Sequence, residues 1–295
     1  MITVHTIKEL RQHVKAARQA GQEIGFVPTM GNLHQGHISL IDRSTADGCY
    51  TVSSIFVNPL QFNDKNDLSR YPRTLPEDQQ KLQAANCDLL FAPNVEEMYP
   101  AGQDKQSIVH VPVVSEGLCG GSRPGHFDGV STVVSKLFNQ VLPDKAYFGE
   151  KDFQQVAVIR KMVADLCMPV EVIPVATARA DDGLALSSRN GYLRASERQQ
   201  APALYQTLNN IAAALQNGEQ SLEFILDQAR IHLDQQGFST DYLDIRYSND
   251  LQPLTNDELQ SQQLRHSSIT ILGAAFLGNA RLIDNIQVTL NQAFE

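Results

Sequence analysis

The sequence predicts an α/β protein in two parts: a mostly parallel sheet flanked by helices, then a smaller α+β domain. Two observations carry this. Helical apolar periodicity and short β-branched runs alternate through the first 175 residues, the pattern of parallel strands joined by crossover helices. After that, Gln- and Ala-rich helical sequence gives way to strand-like segments with no return to the earlier alternation. The domains are therefore expected at residues 1–176 and 177–295, without internal repeats.

Each element has its own local reason. Ile7, Leu10, Val14 and Ala17 recur at three and four residues, an amphipathic helix that Gly21 stops. Residues 24–27 form a short apolar strand, and residues 29–37 a turn that opens a helix. Residues 50–57 are the next strand, β-branched and aromatic. Pro76 begins a helix with Leu82 on its apolar face. Residues 88–92 and 108–111 read as the third and fourth strands. Then come a helix at 129–140, a strand at 145–148, a helix at 153–166 and a strand at 170–175. In the second part, residues 196–236 are helical, and 241–247, 269–276 and 281–284 read as strands.

Composition excludes several classes. A net charge of −9 leaves no basic footprint, so no nucleic-acid partner is expected. Cys49, Cys87, Cys119 and Cys167 form no CxxC pair and read as reduced, mostly buried thiols rather than zinc ligands. The N-terminal Met1-Ile2-Thr3-Val4-His5 lacks the basic and apolar runs of a signal peptide. No apolar segment approaches the roughly 20 residues of a membrane span. A cytoplasmic protein with no membrane partner and no protein-held metal is expected.

The chemistry concentrates at turns that follow strands. Pro28-Thr29-Met30-Gly31-Asn32-Leu33-His34-Gln35-Gly36-His37 follows the first long strand directly. In an open parallel sheet, ligands bind at the carboxyl ends of strands, near the switch point. A helix N-terminus there favours anions, and Gly31 and Gly36 allow close approach. His34 and His37, three apart, share one helix face and suit a polyphosphate and its leaving group. Taken alone, such a pair also reads as surface histidines or half of a metal site; its place after a strand, between two glycines, favours the anion role.

Four more segments add to it. Asn58 and Gln61 end the second strand within Ser54-Ile55-Phe56-Val57-Asn58-Pro59-Leu60-Gln61-Phe62 and offer amides to a small polar acid, although Asn-Pro is also plain turn chemistry. Arg123 and His126 sit in Arg123-Pro124-Gly125-His126-Phe127-Asp128-Gly129-Val130, which suits an anion and, equally, helix capping. Tyr147-Phe148-Gly149-Glu150-Lys151-Asp152-Phe153-Gln154-Gln155 is another strand-to-helix turn. There Lys151 is a point charge for phosphate, and Asp152 is either a ribose acceptor or a helix cap. Asp182-Gly183-Leu184-Ala185-Leu186-Ser187-Ser188-Arg189-Asn190 supplies two hydroxyls and a guanidinium.

His34-Gln35-Gly36-His37 resembles the HxGH signature of the nucleotidyltransferase superfamily, and the five segments together resemble the pantothenate synthetase family. The resemblance is densest over the first 190 residues and implies a Rossmann-like domain followed by a C-terminal lid. It implies condensation of (R)-pantoate with β-alanine at the expense of ATP, through a pantoyl adenylate. AMP and pyrophosphate are released, Mg²⁺ is bound through the ATP phosphates, and the protein is a homodimer. Carried over by position, it implies that His34 and His37, with Lys151 and Arg189, are catalytic. ATP is held by Met30, Gly31, His34, Gly36, His37, Gly149, Glu150, Lys151, Asp152, Leu186, Ser187, Ser188 and Arg189. Pantoate and β-alanine are held by Gln61, Gln155 and Met30, with Asn58, Arg123 and His126 beside them. The resemblance also makes the segment around Ser187 a counterpart of the mobile second signature of the synthetases, with Arg189 as its only cation. Three rival readings are a nucleotidyltransferase that leaves AMP on its product, a tRNA-charging enzyme, which the acidic chain with no basic surface for tRNA disfavours, and a regulatory module that binds nucleotide without chemistry.

Overall fold

The computed structural model describes residues 1–63, 65–219, 221–260 and 268–289. In chain order the elements are β1 (Ile2–Val4), α1 (Ile7–Gln19), β2 (Ile24–Thr29), α2 (Gln35–Ala46), β3 (Tyr50–Ile55), α3 (Lys65–Arg70), α4 (Leu75–Ala84), β4 (Leu89–Phe91) and α5 (Val95–Met98). They continue as α6 (Leu118–Ser122), α7 (His126–Val141), β5 (Lys145–Gly149), α8 (Phe153–Asp165) and β6 (Glu171–Val175). The last are α9 (Ala195–Gln200), α10 (Ala203–Gln216), α11 (Leu222–Gln235), β7 (Ser239–Tyr247), α12 (Asn256–Gln260), β8 (Ser268–Leu277) and β9 (Ala280–Thr289).

The chain divides into two compact units. One holds Met1–Ser115, Arg123–Glu150 and Val158–Thr177; the other holds Glu116–Ser122, Lys151–Ala157 and the chain from Ala178 onward.

The first unit is built on a six-stranded sheet in the order β1-β4-β3-β2-β5-β6, with every pairing parallel. The chain steps outward from β2 through β3 to β4, then returns to place β5 on the other side of β2, where Gly25 faces Lys145. That reversal between β2 and β5 is the switch point, and the loop after each strand opens at the same edge of the sheet. The strands are apolar because both faces are covered: Phe26, Val27, Val52, Leu89, Leu90 and Ala146 are fully buried. Helix α1 starts on a Thr6–Glu9 capping box and buries Leu10, Val14 and Ala17, its predicted stripe. Helix α7 is covered along most of its length, from His126 to Val141.

The second unit carries an antiparallel sheet, β7-β8-β9. Helices α10 and α11 pack on it through Leu204, Leu208, Ile211 and Leu233 against Leu243, Ile245, Ile269 and Ile271. At Gly273 an added Cβ would meet the side chains of Leu243 and Leu204 at 3.0 and 3.2 Å, so a larger residue there would press on the packing between α10 and the sheet.

Three expectations change. Residues 108–111 are not a strand. Their backbone is satisfied by α7 instead: the Val109 N–H donates to Thr132 Oγ1 at 3.0 Å and the Ser131 hydroxyl donates to Val109 O. The strand β1 was not expected; with three residues it is too short to show a period, and it is held by Leu89, Leu90 and Phe91 of β4. The helical run 196–236 is three helices, interrupted around Pro202 and again around Gly218, whose φ is +88°. Among the described residues, no helix is long and apolar enough to cross a membrane.

Candidate active site

The turn after β2 is shaped by its own backbone and by a distant helix. Gly31 and Asn32 both take positive φ, +83° and +51°, which turns the chain sharply into α2. Asp78 on α4, fully buried, accepts from the Asn32 N–H and the Leu33 N–H, each at 2.8 Å, and from the Thr74 hydroxyl at 3.0 Å. Lys81, one turn further along α4, donates to Leu33 O at 2.6 Å. Thr29 closes the strand end by donating to Ser54 O at 2.8 Å and accepting from the Gly31 N–H. The turn is thus held at both its N–H and C=O groups.

The two histidines cap the helix they begin. His34 Nδ1 accepts from the Gly36 N–H at 3.1 Å, and His37 Nδ1 accepts from the His34 N–H at 3.3 Å. A backbone N–H can only donate, so both Nδ1 atoms carry lone pairs. A neutral imidazole with Nδ1 so occupied bears its proton on Nε2. The rings lie 4.1 Å apart, centroid to centroid. The result is a pair of N–H donors at the start of α2, where the helix end already favours negative charge.

The amides form a second group in the same unit. Residues Pro59–Gln61 make a single 3-10 turn after β3, capped by Asn58. Asn58 is 1% exposed, and its amide is fully engaged. Its oxygen accepts from the Tyr99 hydroxyl at 2.7 Å and the Leu60 N–H at 3.4 Å. Its nitrogen donates to Gly129 O at 3.0 Å and Gln61 Oε1 at 3.2 Å. Gln61 Nε2 lies 2.9 Å from Met30 Sδ, which joins this group to the turn after β2. His126 Nδ1 lies 2.9 Å from Gln61 O, and Arg123 lies 3.3 Å from His126 Nε2. A carbonyl only accepts and a guanidinium only donates, so His126 carries its proton on Nδ1, the opposite tautomer to His34 and His37. Burial pushes the Tyr99 phenol well above its usual range, so it stays a donor.

In the other unit, Lys151 and Asp152 directly follow the Gly149–Glu150 end of β5. The Lys151 ammonium is largely covered and lies 3.8 Å from Asp152, and its carbonyl accepts from Asn285 Nδ2 at 3.0 Å. Gln154 spends its amide on the Cys119 N–H and on the carbonyls of Glu116 and Gly117, whereas the neighbouring Gln155 is half-buried. Leu186 ends an irregular hairpin in which its N–H donates to Ala178 O. Ser187 caps the short 3-10 helix Ser188–Tyr192 by accepting from the Arg189 N–H at 3.2 Å. Arg179 supports the hairpin: it pairs with Asp284 at 2.6 and 2.9 Å and lies 3.7 Å over the Tyr205 ring. Lys151, Ser187, Asn190 and Asp284 line one small cavity of this unit.

The predicted residues therefore form two sets, one around Met30, His34, His37 and Gln61, the other around Lys151 and Ser187. Sequence reasoning missed Asp78, Lys81, Tyr99, Arg179 and Asp284 as their supports. Asp78 had a weak signal, an acid in the first turn of a helix, but that reads as ordinary dipole chemistry.

That parallel sheet, with a histidine-bearing turn at its switch point, defines the class: an open α/β protein with a candidate ligand site at the carboxyl ends of its strands. The model of the pantoate-beta-alanine ligase family matches residues 2–287. The pantothenate synthetase of Stutzerimonas stutzeri is 60% identical over 290 residues, covering 98% of this chain and 99% of that protein. The pantothenate synthetase of Pseudomonas putida is 54% identical over 292 residues, 99% of each chain. Among solved structures, that of pantothenate synthetase from Thermus thermophilus superposes with a TM-score of 0.86 at 44% identity, covering 97% of this chain and 99% of the other. That of pantoate-beta-alanine ligase from Francisella tularensis, complexed with beta-gamma ATP and beta-alanine, superposes with a TM-score of 0.78 at 35% identity, covering 97% of each. The chain belongs to the pantoate–β-alanine ligase family. It is an enzyme, a carbon–nitrogen ligase whose reaction is the ATP-dependent condensation of pantoate with β-alanine.

Proposed function

We propose that the reaction runs through a pantoyl adenylate and that the two sets of residues divide its work. A pantoate carboxylate oxygen attacks the α-phosphorus of ATP; the new O–P bond forms as the bond to pyrophosphate breaks. The amine of β-alanine then attacks the acyl carbon. The C–N bond forms, the C–O bond to AMP breaks, and the amine loses a proton.

The observation that carries this reading is the pair of Nε2–H donors set by the histidine caps. They suit the triphosphate and stabilise the charge that collects on the leaving pyrophosphate without having to transfer a proton. Met30, Gly31, Gly36, Gly149, Glu150, Asp152 and Leu186 line the nucleotide in this reading, with Gly149 and Asp152 at the ribose. Lys151, Ser187, Ser188 and Arg189 hold phosphates. Gln61 and Gln155 take the hydroxyls and carboxylate of pantoate, and Asn58, Arg123 and His126 lie toward the β-alanine side. Bringing a carboxylate to a triphosphate costs about 1 kcal/mol in water at contact and several in a drier cleft, which the cations and imidazoles offset.

Among the described residues no group of three acidic, His or Cys side chains could hold a metal ion. Mg²⁺ is read, from the family resemblance, as bound through the ATP phosphates, where it would neutralise part of their charge. The reading keeps residues 1–176 as the ATP- and pantoate-binding domain and 177–295 as a lid that excludes water from the hydrolysable adenylate. It also keeps a cytoplasmic homodimer.

The test incubates the protein with MgATP, pantoate and β-alanine, omitting each in turn. AMP forming one-for-one with amide, only when all three are present, supports the reading. An adenylylated product with no free AMP, or no pyrophosphate in any combination, overturns it.

A further inference from the structure

We propose that Tyr99 is a positioning residue that acts through Asn58 to lock the side-chain amide of Gln61 with its N–H groups facing the substrate. This rests on the reading of Gln61 as a pantoate ligand. A glutamine amide can turn end for end, exchanging an acceptor for donors with little change of shape. Which end faces the ligand decides whether the site prefers oxygens or N–H groups.

Here the choice is forced by groups that cannot change role. Gly129 O can only accept, so the Asn58 atom 3.0 Å away must be its NH₂. The Leu60 N–H can only donate, so the atom it reaches must be the Asn58 oxygen. With Asn58 so fixed, its remaining N–H points at Gln61 and can only be met by Oε1, at 3.2 Å. Gln61 Nε2 is left on the other side, toward Met30 Sδ, a weak acceptor that satisfies it poorly. Two N–H donors beside a thioether are matched by the carboxylate and hydroxyl oxygens of a 2-hydroxy acid.

Tyr99 is the firmest hold on this relay. Its hydroxyl donates to Asn58 Oδ1 at 2.7 Å, while the Leu60 N–H is at a long 3.4 Å. The ring is 3% exposed, packs against Phe56 at 6.0 Å and lies under Lys136 Nζ at 5.1 Å. Tyr99 thus anchors a chain of side chains that starts 38 positions beyond Gln61 (99 − 61) in the sequence. Replacing it by Phe keeps the ring contacts and deletes only the donor.

Steady-state kinetics on four variants test this. Tyr99→Phe should raise KM for pantoate about three- to ten-fold, the size of one net hydrogen bond, with kcat and KM for ATP nearly constant and the melting temperature little changed. Asn58→Asp replaces the donor by an acceptor that faces Gln61 Oε1 and Gly129 O. It should turn the glutamine over and raise KM for pantoate as far as Gln61→Ala does. In Tyr99→Phe/Gln61→Ala the two effects should not add. If Gln61→Ala leaves KM for pantoate unchanged, the reading of Gln61 as a ligand is wrong and the proposal falls with it. If Gln61→Ala raises KM but Tyr99→Phe does not, or the two add fully, Gln61 binds pantoate and the positioning role of Tyr99 is overturned. A fall in kcat and melting temperature without a change in KM for pantoate also overturns it, since that is the mark of a merely structural tyrosine.

Discussion

Three histidines of one unit occupy two tautomers, each dictated by a partner that can play only one role. His34 and His37 accept backbone N–H groups at Nδ1; His126 donates from Nδ1 to Gln61 O and accepts from Arg123 at Nε2. Long-range ¹⁵N–¹H NMR should therefore show Nε2–H signals for His34 and His37 and an Nδ1–H signal for His126 near neutral pH. Finding His37 protonated on Nδ1 would remove the donor on which the phosphate role depends. At the same scale, Asp78 is the residue whose loss should cost most for its size. Its carboxylate meets two backbone N–H groups and a hydroxyl with no exposure to water. Asp78→Asn turns one acceptor into a donor facing an N–H or the Thr74 hydroxyl. About 1–3 kcal/mol of stability should go, read by denaturant unfolding, together with a rise in KM for ATP as the Gly31–His34 turn loosens. An unchanged KM for ATP in a folded Asp78→Asn would mean that the turn holds its shape unaided. His34 and His37 were legible because their whole setting lies within ten residues of sequence. Asp78 was not, because it meets Leu33 across 45 positions and no local pattern reports such a distance.

Among the elements, α7 and the 3-10 turn Pro59–Gln61 meet backbone against helix with little slack. A Cβ at Gly129 would lie 2.4 Å from Leu60 O and 2.7 Å from Gln61 Cα, both backbone atoms that cannot swing aside. Gly129→Ala should therefore separate the helix from the turn. A loss of about 1–3 kcal/mol is expected from the overpacking, and a higher KM for pantoate should accompany it because Gln61 and Asn58 move. If Gly129→Ala matches the parent in thermal melting and in pantoate KM, the close approach is not as drawn. The sequence marks α7 as a helix through its long apolar face, but nothing local marks Gly129 as a point of contact. The reverse error occurred at residues 108–111, where an apolar run with strand composition is paired by Ser131 and Thr132 of α7 instead of by a sheet. Apolar character overstated burial there, since Val111 is buried but Ile108 is exposed, and the partner was beyond its reach.

At the scale of the whole molecule, the alternation of elements was readable because each crossover helix and strand states its own period. The order β1-β4-β3-β2-β5-β6 was not, because strand order depends on which apolar faces meet. The same burial that hides these faces sorts the thiols. Cys49, Cys87 and Cys119 are buried and Cys167 is exposed. A disulfide-exchange reagent near neutral pH should find one fast thiol in the folded protein, abolished by Cys167→Ser, and the other three only on unfolding. Alkaline pH should then expose the energetic side. Burial pushes the Cys87 thiol up from its ordinary 9.0 to about 12, so the folded state keeps a proton that the unfolded chain gives up. Stability from this group is complete below about pH 9 and is lost as pH rises toward 12. Burial raises Tyr99, Tyr147 and Tyr242 in the same direction, so their losses begin higher, where an unfolded phenol ionises. Denaturant midpoints between pH 8 and 10 should fall, and Cys87→Ser should flatten the first part of that fall, since a serine hydroxyl does not ionise there. A midpoint that stays level in the parent up to pH 10, or a Cys87→Ser slope equal to the parent's, would mean that Cys87 reaches water in the folded protein.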